Sequence, residues 1–330
     1  MTTTNRFSGQ KVLVTGATGF LGSHLCRRLS TSAAEVHAIA RNPRPGGDAG
    51  PRWWQGDLTD AATVERFLTA IKPDVIFHLA SHGVGAPDLD HVLPTLQGDL
   101  VTTVNVLAVA TRLGFGRLVL AASLEEPCPV PGDVSPASPY AAAKWASNVY
   151  ARMFYHLYQA PIVAVRPFMT YGPGQRAHKL IPYVALALLQ GEAPKLSSGT
   201  RPVDWIYVDD VIDGLVTAAQ APGVEGCTID LGSGELVPIR DVVERLVRLV
   251  DARIEPLFGA LNDRPSEQVR VADTADAYAR LGWKPMTSLE EGLTRTVAWY
   301  RQQLAAGATG ILSARLLPTT PPVNREESLR

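Results

Sequence analysis

Cysteine is scarce in this 330-residue chain: Cys26, Cys128 and Cys227 lie far apart and form no C-x-x-C pair. That pattern supplies neither a zinc site nor a disulfide framework, and no metal is expected. An excess of charge of one sign is also lacking. With a formal net charge of −1, there is no electrostatic reason to expect a nucleic-acid partner. No apolar run approaches the roughly 18 residues of a membrane-spanning helix. The opening MTTTNRFSGQ has no apolar core of a signal peptide. No internal repeat is visible. These absences lead us to expect a cytoplasmic protein without a membrane partner.

What is present is ordinary folded-chain composition, 46% apolar and 19% charged, at a length that can hold two sub-domains. From about Ala305 the chain becomes rich in Pro and Thr and ends in NREESLR, so 305–330 reads as a flexible tail. Upstream, strand-like runs alternate with helical ones. Val12–Val14, Glu35–Ala40, Val75–Ala80, Leu118–Ala122 and Ala160–Arg166 read as strands. Ser23–Leu29, Ala61–Ile71, Thr103–Leu113 and Tyr140–Gln159 read as helices between them. This βαβ alternation predicts an α/β fold with a doubly wound parallel sheet. After a Gly/Pro-rich loop over Pro167–Gln175 the pattern changes. It gives helices at Leu180–Gln190, Asp210–Gln220 and Ile239–Val250, with strands at Trp205–Val208 and Cys227–Leu231.

The chemistry begins at KVLVTGATGFLG, residues 11–22, where Gly16, Gly19 and Gly22 are spaced between a buried strand and a helix start. Such a turn lets backbone N–H groups approach a pyrophosphate, aided by the positive end of the helix. Taken alone, an ordinary Gly-rich βα turn gives the same residues. The strand Glu35–Ala40 ends without the acid that would bind ribose hydroxyls, and Arg41 and Arg44 follow instead. A guanidinium there suits a 2′-phosphate, which favours NADP and leaves NAD possible; the alternative is a solvated loop. Further on, Tyr140 and Lys144 stand four apart on a helix and share a face. An ammonium beside a phenol favours phenolate and fits acid–base work. Ser123 lies at a strand end upstream.

In combination TGATGFLG, GDLTD (56–60), FHLAS (77–81), SPYAAAK, RPFMTYGPG (166–174), DWIYVDDV (204–211), RPSE (264–267) and LGWKP resemble the extended short-chain dehydrogenase/reductase family, the sugar-nucleotide epimerases and dehydratases. The resemblance runs over about residues 11 to 300. It implies a Rossmann-type cofactor lobe, mainly 1–175, and a smaller mixed α/β substrate lobe, mainly 176–304, with the chain crossing between them. It also implies a homodimer through a four-helix interface, here Asp99–Leu113 and Tyr140–Tyr158. Gly16, Gly19 and Gly22 would line the pyrophosphate with Phe20 and Leu21. Asp57 and Leu58 would touch adenine, and Ala80 the cofactor's inner face. Ser123, Tyr140 and Lys144 would be catalytic, with Lys144 and Tyr140 also on the cofactor.

The departures narrow this. Glu125 stands where dehydratases and decarboxylases of the family carry a proton-abstracting acid and where some 4-ketoreductases also carry Glu; a solvent-facing strand end is the alternative. Leu124 replaces the usual dehydratase acid. Met169 stands where the family has Asn, and Asp99 where Asn usually begins the interface helix. Val203 replaces an arginine, with Arg201 two residues earlier; Arg201 and Arg264 are the diphosphate candidates, or else surface ion pairs. The expected activity is redox chemistry at C4 of an NDP-hexose, as a 4,6-dehydratase or 4-ketoreductase. A 4-epimerase and a carbonyl reductase acting on a non-nucleotide ketone are the alternatives. A cofactor-sensing interaction protein is a third reading, opposed by the intact Ser-Tyr-Lys set.

Overall fold

Short apolar runs with no polar face can be satisfied only inside a sheet covered on both sides, and that is where the chain puts them. The computed structural model describes residues 7–42, 50–128, 135–263 and 268–307. Strands β1 (Lys11–Thr15), β2 (Glu35–Ala40), β3 (Arg52–Gln55), β4 (Val75–His78), β5 (Arg117–Ala121), β6 (Ile162–Pro167) and β9 (Thr228–Leu231) form one sheet in the order β3-β2-β1-β4-β5-β6-β9. Every pair in it is parallel. A second sheet, β10-β8-β7, joins β7 (Met169–Tyr171), β8 (Pro202–Tyr207) and β10 (Leu236–Pro238). There β7 runs parallel to β8 and β10 antiparallel to it. The expected doubly wound sheet with a smaller mixed unit is what the chain forms.

Helices α1 (Phe20–Ser30), α2 (Ala61–Ile71), α3 (Val92–Thr95), α4 (Thr102–Leu113) and α5 (Pro139–Tyr158) come from the first half. The second half supplies α6 (Leu180–Leu189), α7 (Val208–Ala218), α8 (Ile239–Val250), α9 (Thr274–Leu281) and α10 (Leu289–Ala305). Local chemistry sets several starts. Asp60 caps α2 by accepting from the backbone N–H of Ala62 and Thr63. Ser138 accepts from Ala141 N–H at 3.1 Å, with Pro139 opening α5. One buried cluster, including Val12, Val14, Phe77 and Val119, packs on one side of the sheet, and another, including Leu13, Ile76, Leu118 and Leu120, on the other.

Four differences from the sequence reading matter. The run RWWQ is an edge strand, β3, although its side chains are only partly buried. The expected loop Pro167–Gln175 contains β7, paired to β8. Helices α9 and α10 had no sequence expectation. The helix expected from Thr103 extends upstream: Leu89–Leu113 is one helical stretch, with a π-helical segment at Leu96–Val101. By length and hydropathy this stretch alone, among the described residues, could cross a membrane; here it packs on α2 and α5 and buries Asp99. Residues 308–330, most of the expected tail, lie outside the described residues.

Candidate active site

Parallel strands share one carboxyl edge, and the loops leaving it collect the predicted residues. Arg41 directly follows β2 and is exposed; Arg44 lies outside the described residues. Asp57 follows β3 and is exposed, while Leu58 is buried. Gly16 follows β1, Ala80 follows β4, and Ser123 and Glu125 follow β5. Met169, partly buried, opens β7 just beyond β6. Ligands of such sheets bind along this edge, where the strand order reverses.

The glycine turn is shaped so that side chains would block it. Gly16 has φ +67°, and a Cβ there would fall 2.6 Å from Leu79 O. A Cβ on Gly22 would meet Gly16 O at 2.2 Å, so α1 begins directly on the turn. Gly19 is the N-cap of α1 and supplies no side chain to it. The N–H groups at Phe20, Leu21 and Gly22 therefore open the helix without a side-chain cap, a donor set that fits a pyrophosphate.

Behind the turn runs a buried hydrogen-bond chain. Thr15 Oγ1 accepts the N–H groups of Leu79 and Ala80, both at 3.2 Å. With both lone pairs used, its O–H donates to His78 Nδ1 at 2.9 Å. The proton of His78 is thus on Nε2, which donates to Thr103 Oγ1 at 3.1 Å. Thr103 in turn donates to the backbone carbonyl of Asp99 at 2.6 Å. Burial first, and the charge of Lys144 second, push His78 down to about 3. It is a neutral imidazole.

Tyr140, partly buried in the first turn of α5, shares a hydrogen bond with the side chain of Ser123. Glu125 N–H donates to Ser123 Oγ at 3.2 Å. The ammonium of Lys144 lies 5.9 Å from the Tyr140 ring centre. It donates to Ala121 O at 3.0 Å and pairs with Asp99 Oδ1 at 3.6 Å. Burial raises the Tyr140 phenol well above its usual range. The Ser123 hydrogen bond opposes this, and the carboxylates of Glu125, Asp99 and Glu126 add to it. The Glu125 carboxylate faces the loop after β4: a Cβ on Gly85 would sit 3.0 Å from either oxygen.

The structure brings together Ser123, Glu125, Tyr140 and Lys144, the residues expected from the sequence to be catalytic. Sequence reasoning did not single out Thr15, His78 or Glu126. Glu126 is buried, accepts from Ser123 N–H at 2.8 Å and Asn148 Nδ2 at 2.9 Å, and pairs with Arg166 at 3.1 Å. Being adjacent to Glu125, it carried no signal of its own. Of the two phosphate candidates, one lies among the described residues. Arg201 immediately precedes β8, partly buried, and Val203 is in the core. Arg264 lies outside the described residues. Two of the three acids of DWIYVDDV are structural: Asp204 accepts from Ser233, Gly234 and Ala272 N–H, and Asp210 from Met286 and Thr287 N–H. Among the described residues no group of His, Cys, Asp and Glu is placed to hold a metal ion.

Comparison with known proteins agrees with this geometry. The sequence model of the NAD dependent epimerase/dehydratase family matches residues 12–232. The chain is 31% identical to a UDP-glucose 4-epimerase of Mycolicibacterium smegmatis, over 89% of this chain and 99% of that protein. It is 28% identical to a dTDP-glucose 4,6-dehydratase of Neisseria meningitidis, over 88% and 93%. Among solved structures, MoeE5 in complex with UDP-glucose and NAD superposes with TM-score 0.79 at 30% identity, covering 89% of this chain and 99% of that one. The UDP-glucose 4-epimerase of Thermotoga maritima, at 22% identity and TM-score 0.82 over 89% and 99%, has the same fold. With the glycine turn, the Ser-Tyr-Lys group and these matches in hand, the chain belongs to the NAD dependent epimerase/dehydratase family.

Proposed function

We propose that the protein modifies an NDP-hexose by redox chemistry at C4, as a 4,6-dehydratase or a 4-ketoreductase. The observation that carries this is the convergence of Ser123, Tyr140 and Lys144 with the second acid–base group, Glu125, at the carboxyl edge. When bound, the nicotinamide supplies the acceptor and donor of hydride. Tyr140, oriented by Ser123, exchanges a proton with the C4 oxygen. Glu125 exchanges one at a neighbouring carbon, the step that separates elimination from simple epimerisation. Lys144 holds the cofactor ribose and the charge beside Tyr140. Ketoreduction is the second reading, favoured by Leu124, which packs on the apolar core where an acid for the leaving hydroxyl would stand.

The test is incubation with a panel of NDP-sugars followed by mass spectrometry. Loss of one water marks a dehydratase and gain of two hydrogens a reductase. Unchanged mass with altered retention marks the 4-epimerase, an outcome that would overturn the proposed reaction. Absence of any turnover or nucleotide binding would overturn the sugar-nucleotide reading in favour of a ketone without a nucleotide, the reading to which Met169 and Val203 lend weight.

For the cofactor we propose NAD, with NADP accepted through Arg41. The NAD-bound relative supports the first part and the exposed guanidinium after β2 the second. Arg41→Asp should weaken NADP binding about tenfold and leave NAD nearly unchanged, read by fluorescence titration. An unmoved NADP-to-NAD ratio would show that Arg41 does not read the phosphate.

A homodimer completes the proposal. Leu89, Leu93 and Leu96 lie at helical spacing on the stretch before α4, and Trp145 and Val149 on α5, all exposed; Leu89 is 81% and Leu93 66% accessible. A second copy placing the same two helices against them buries both stripes with two-fold symmetry. A cytoplasmic location belongs to the same reading, since the nicotinamide and nucleotide-linked substrates are met there.

A further inference from the structure

The most unusual group beside the reacting atoms is the carboxylate of Asp99. It is 1% exposed and lies in the π-helical segment Leu96–Val101, a local widening that often marks functional positions. Its backbone carbonyl is held by hydroxyls from Thr102 at 3.3 Å and Thr103 at 2.6 Å, the latter ending the chain from Thr15 and His78. Of its carboxylate oxygens, Oδ2 accepts His82 N–H at 3.2 Å. Oδ1 has no hydrogen-bond partner and lies 3.6 Å from Lys144 Nζ. A buried oxygen in this position is stabilised by that ammonium alone.

The remaining charges around Tyr140 and Lys144 can be assigned. From β4, His78 faces Lys144 as a neutral ring. From the loop after β5, Glu126 is committed to Arg166, Asn148 and Ser123 N–H. Glu125, from the same loop, faces Tyr140 as an anion. On α5, Lys144 is the sole cation of the group. Beside the Ser123 hydrogen bond, its positive charge, 5.9 Å from the ring centre, is what would draw the proton off Tyr140, and Asp99 is the anion placed on it.

We propose that Asp99 is a positioning residue that neutralises Lys144, so that Tyr140 faces an ion pair where an asparagine at this place would leave it facing a lone ammonium. Tyr140 is thereby set to work as a proton donor in the resting protein, with Glu125 as the complementary base. This rests on reading Tyr140 as the proton-exchanging group, and extends that reading to which way it is poised. Burial, Glu125 and Asp99 all act on the phenol in this sense.

The experiment needs no substrate, so it is independent of the sugar-nucleotide reading. Tyrosinate absorbance is titrated in the full chain, and Tyr140 is isolated as the difference from the same protein carrying Tyr140→Phe. Asp99→Asn is isosteric and keeps an acceptor for His82 N–H. In it the Tyr140 midpoint should fall by about one pH unit, a tenfold larger tyrosinate fraction below the midpoint. A midpoint that stays or rises overturns the proposal, and a lowered melting temperature with an unmoved midpoint overturns it in favour of a structural role. Should Asp99→Asn not fold, Asp99→Ser is read by the same criterion. If the midpoint falls while no NDP-sugar is turned over, the electrostatic role of Asp99 stands and the substrate reading fails.

Discussion

His78 sits at the crossing of two demands, a hydrogen-bonded chain that needs one tautomer and a buried setting that refuses a charge. Burial and Lys144 push it down to about 3 from 6.5. A folded-state pKa below the unfolded one means that the unfolded chain takes up the proton first as pH falls. His78 therefore costs no stability above about pH 6.5 and destabilises progressively between there and about pH 3. Between about pH 7 and about pH 5 the loss should be about 2 kcal/mol. Urea unfolding at both pH values would show it, and His78→Gln, which can still accept from Thr15 and donate to Thr103, should flatten that part of the profile. A wild-type slope unchanged by the replacement would contradict a neutral buried His78. The sequence displayed His78 only as a member of FHLAS. Its partners Thr15 and Thr103 are 63 and 25 residues away, a distance at which no local pattern operates. Tyr140 and Lys144 were legible because their relation is local, four residues on one helix.

Elements were legible where period and punctuation agreed. Ala61–Ile71 is bounded by Asp60 at its cap and Lys72 in a left-handed conformation, and Ile239–Val250 by Pro238 and Asp251; both were read to the residue. The π-helical segment was not legible, because a helix widened by one residue breaks the 3.6 period that reveals helices. Strand β3 was missed for another reason. Its pairing to β2 is made by backbone groups, and its side chains do not alternate clearly between core and water. At this scale the exposed row on the helix before α4 makes a prediction. Leu93→Glu places a charge in the middle of the proposed subunit contact and should convert a dimer to a monomer in light scattering, shifting the dissociation constant by at least about a hundredfold. Because Leu93 is exposed in the single chain, the melting temperature of the monomer should change little. A dimer that survives the substitution would place the contact elsewhere.

Across the whole molecule, one largely buried ionic chain ties the loop of Ser123 and Glu125 to the second half of the sequence. Glu126 pairs with Arg166 at 3.1 Å, Arg166 with Asp230 at 2.6 Å, and Asp230 with Arg270 at 3.8 Å. It spans the loop after β5, strands β6 and β9, and the segment before α9. Neutralising Asp230 would leave Arg166 with Glu126 alone and take from Arg270 its ion pair with Asp230, both guanidinium groups being largely buried. Asp230→Asn should therefore cost roughly 3 kcal/mol in urea unfolding. A loss below about 0.5 kcal/mol would mean the groups are solvated and independent. The fold class followed from the alternation of strand and helix, but this chain of charges did not, since its members lie in four separate stretches. The stretch Leu89–Leu113 has a consequence of its own. One end of it exposes Leu89 and Leu93, the proposed subunit contact, and its middle holds Asp99 against Lys144. With that contact as proposed, one continuous helical stretch carries both the seam between two copies and the anion beside Lys144. On that proposal, a repacking of the seam that turns or slides the stretch would be felt at the Asp99–Lys144 pair as well.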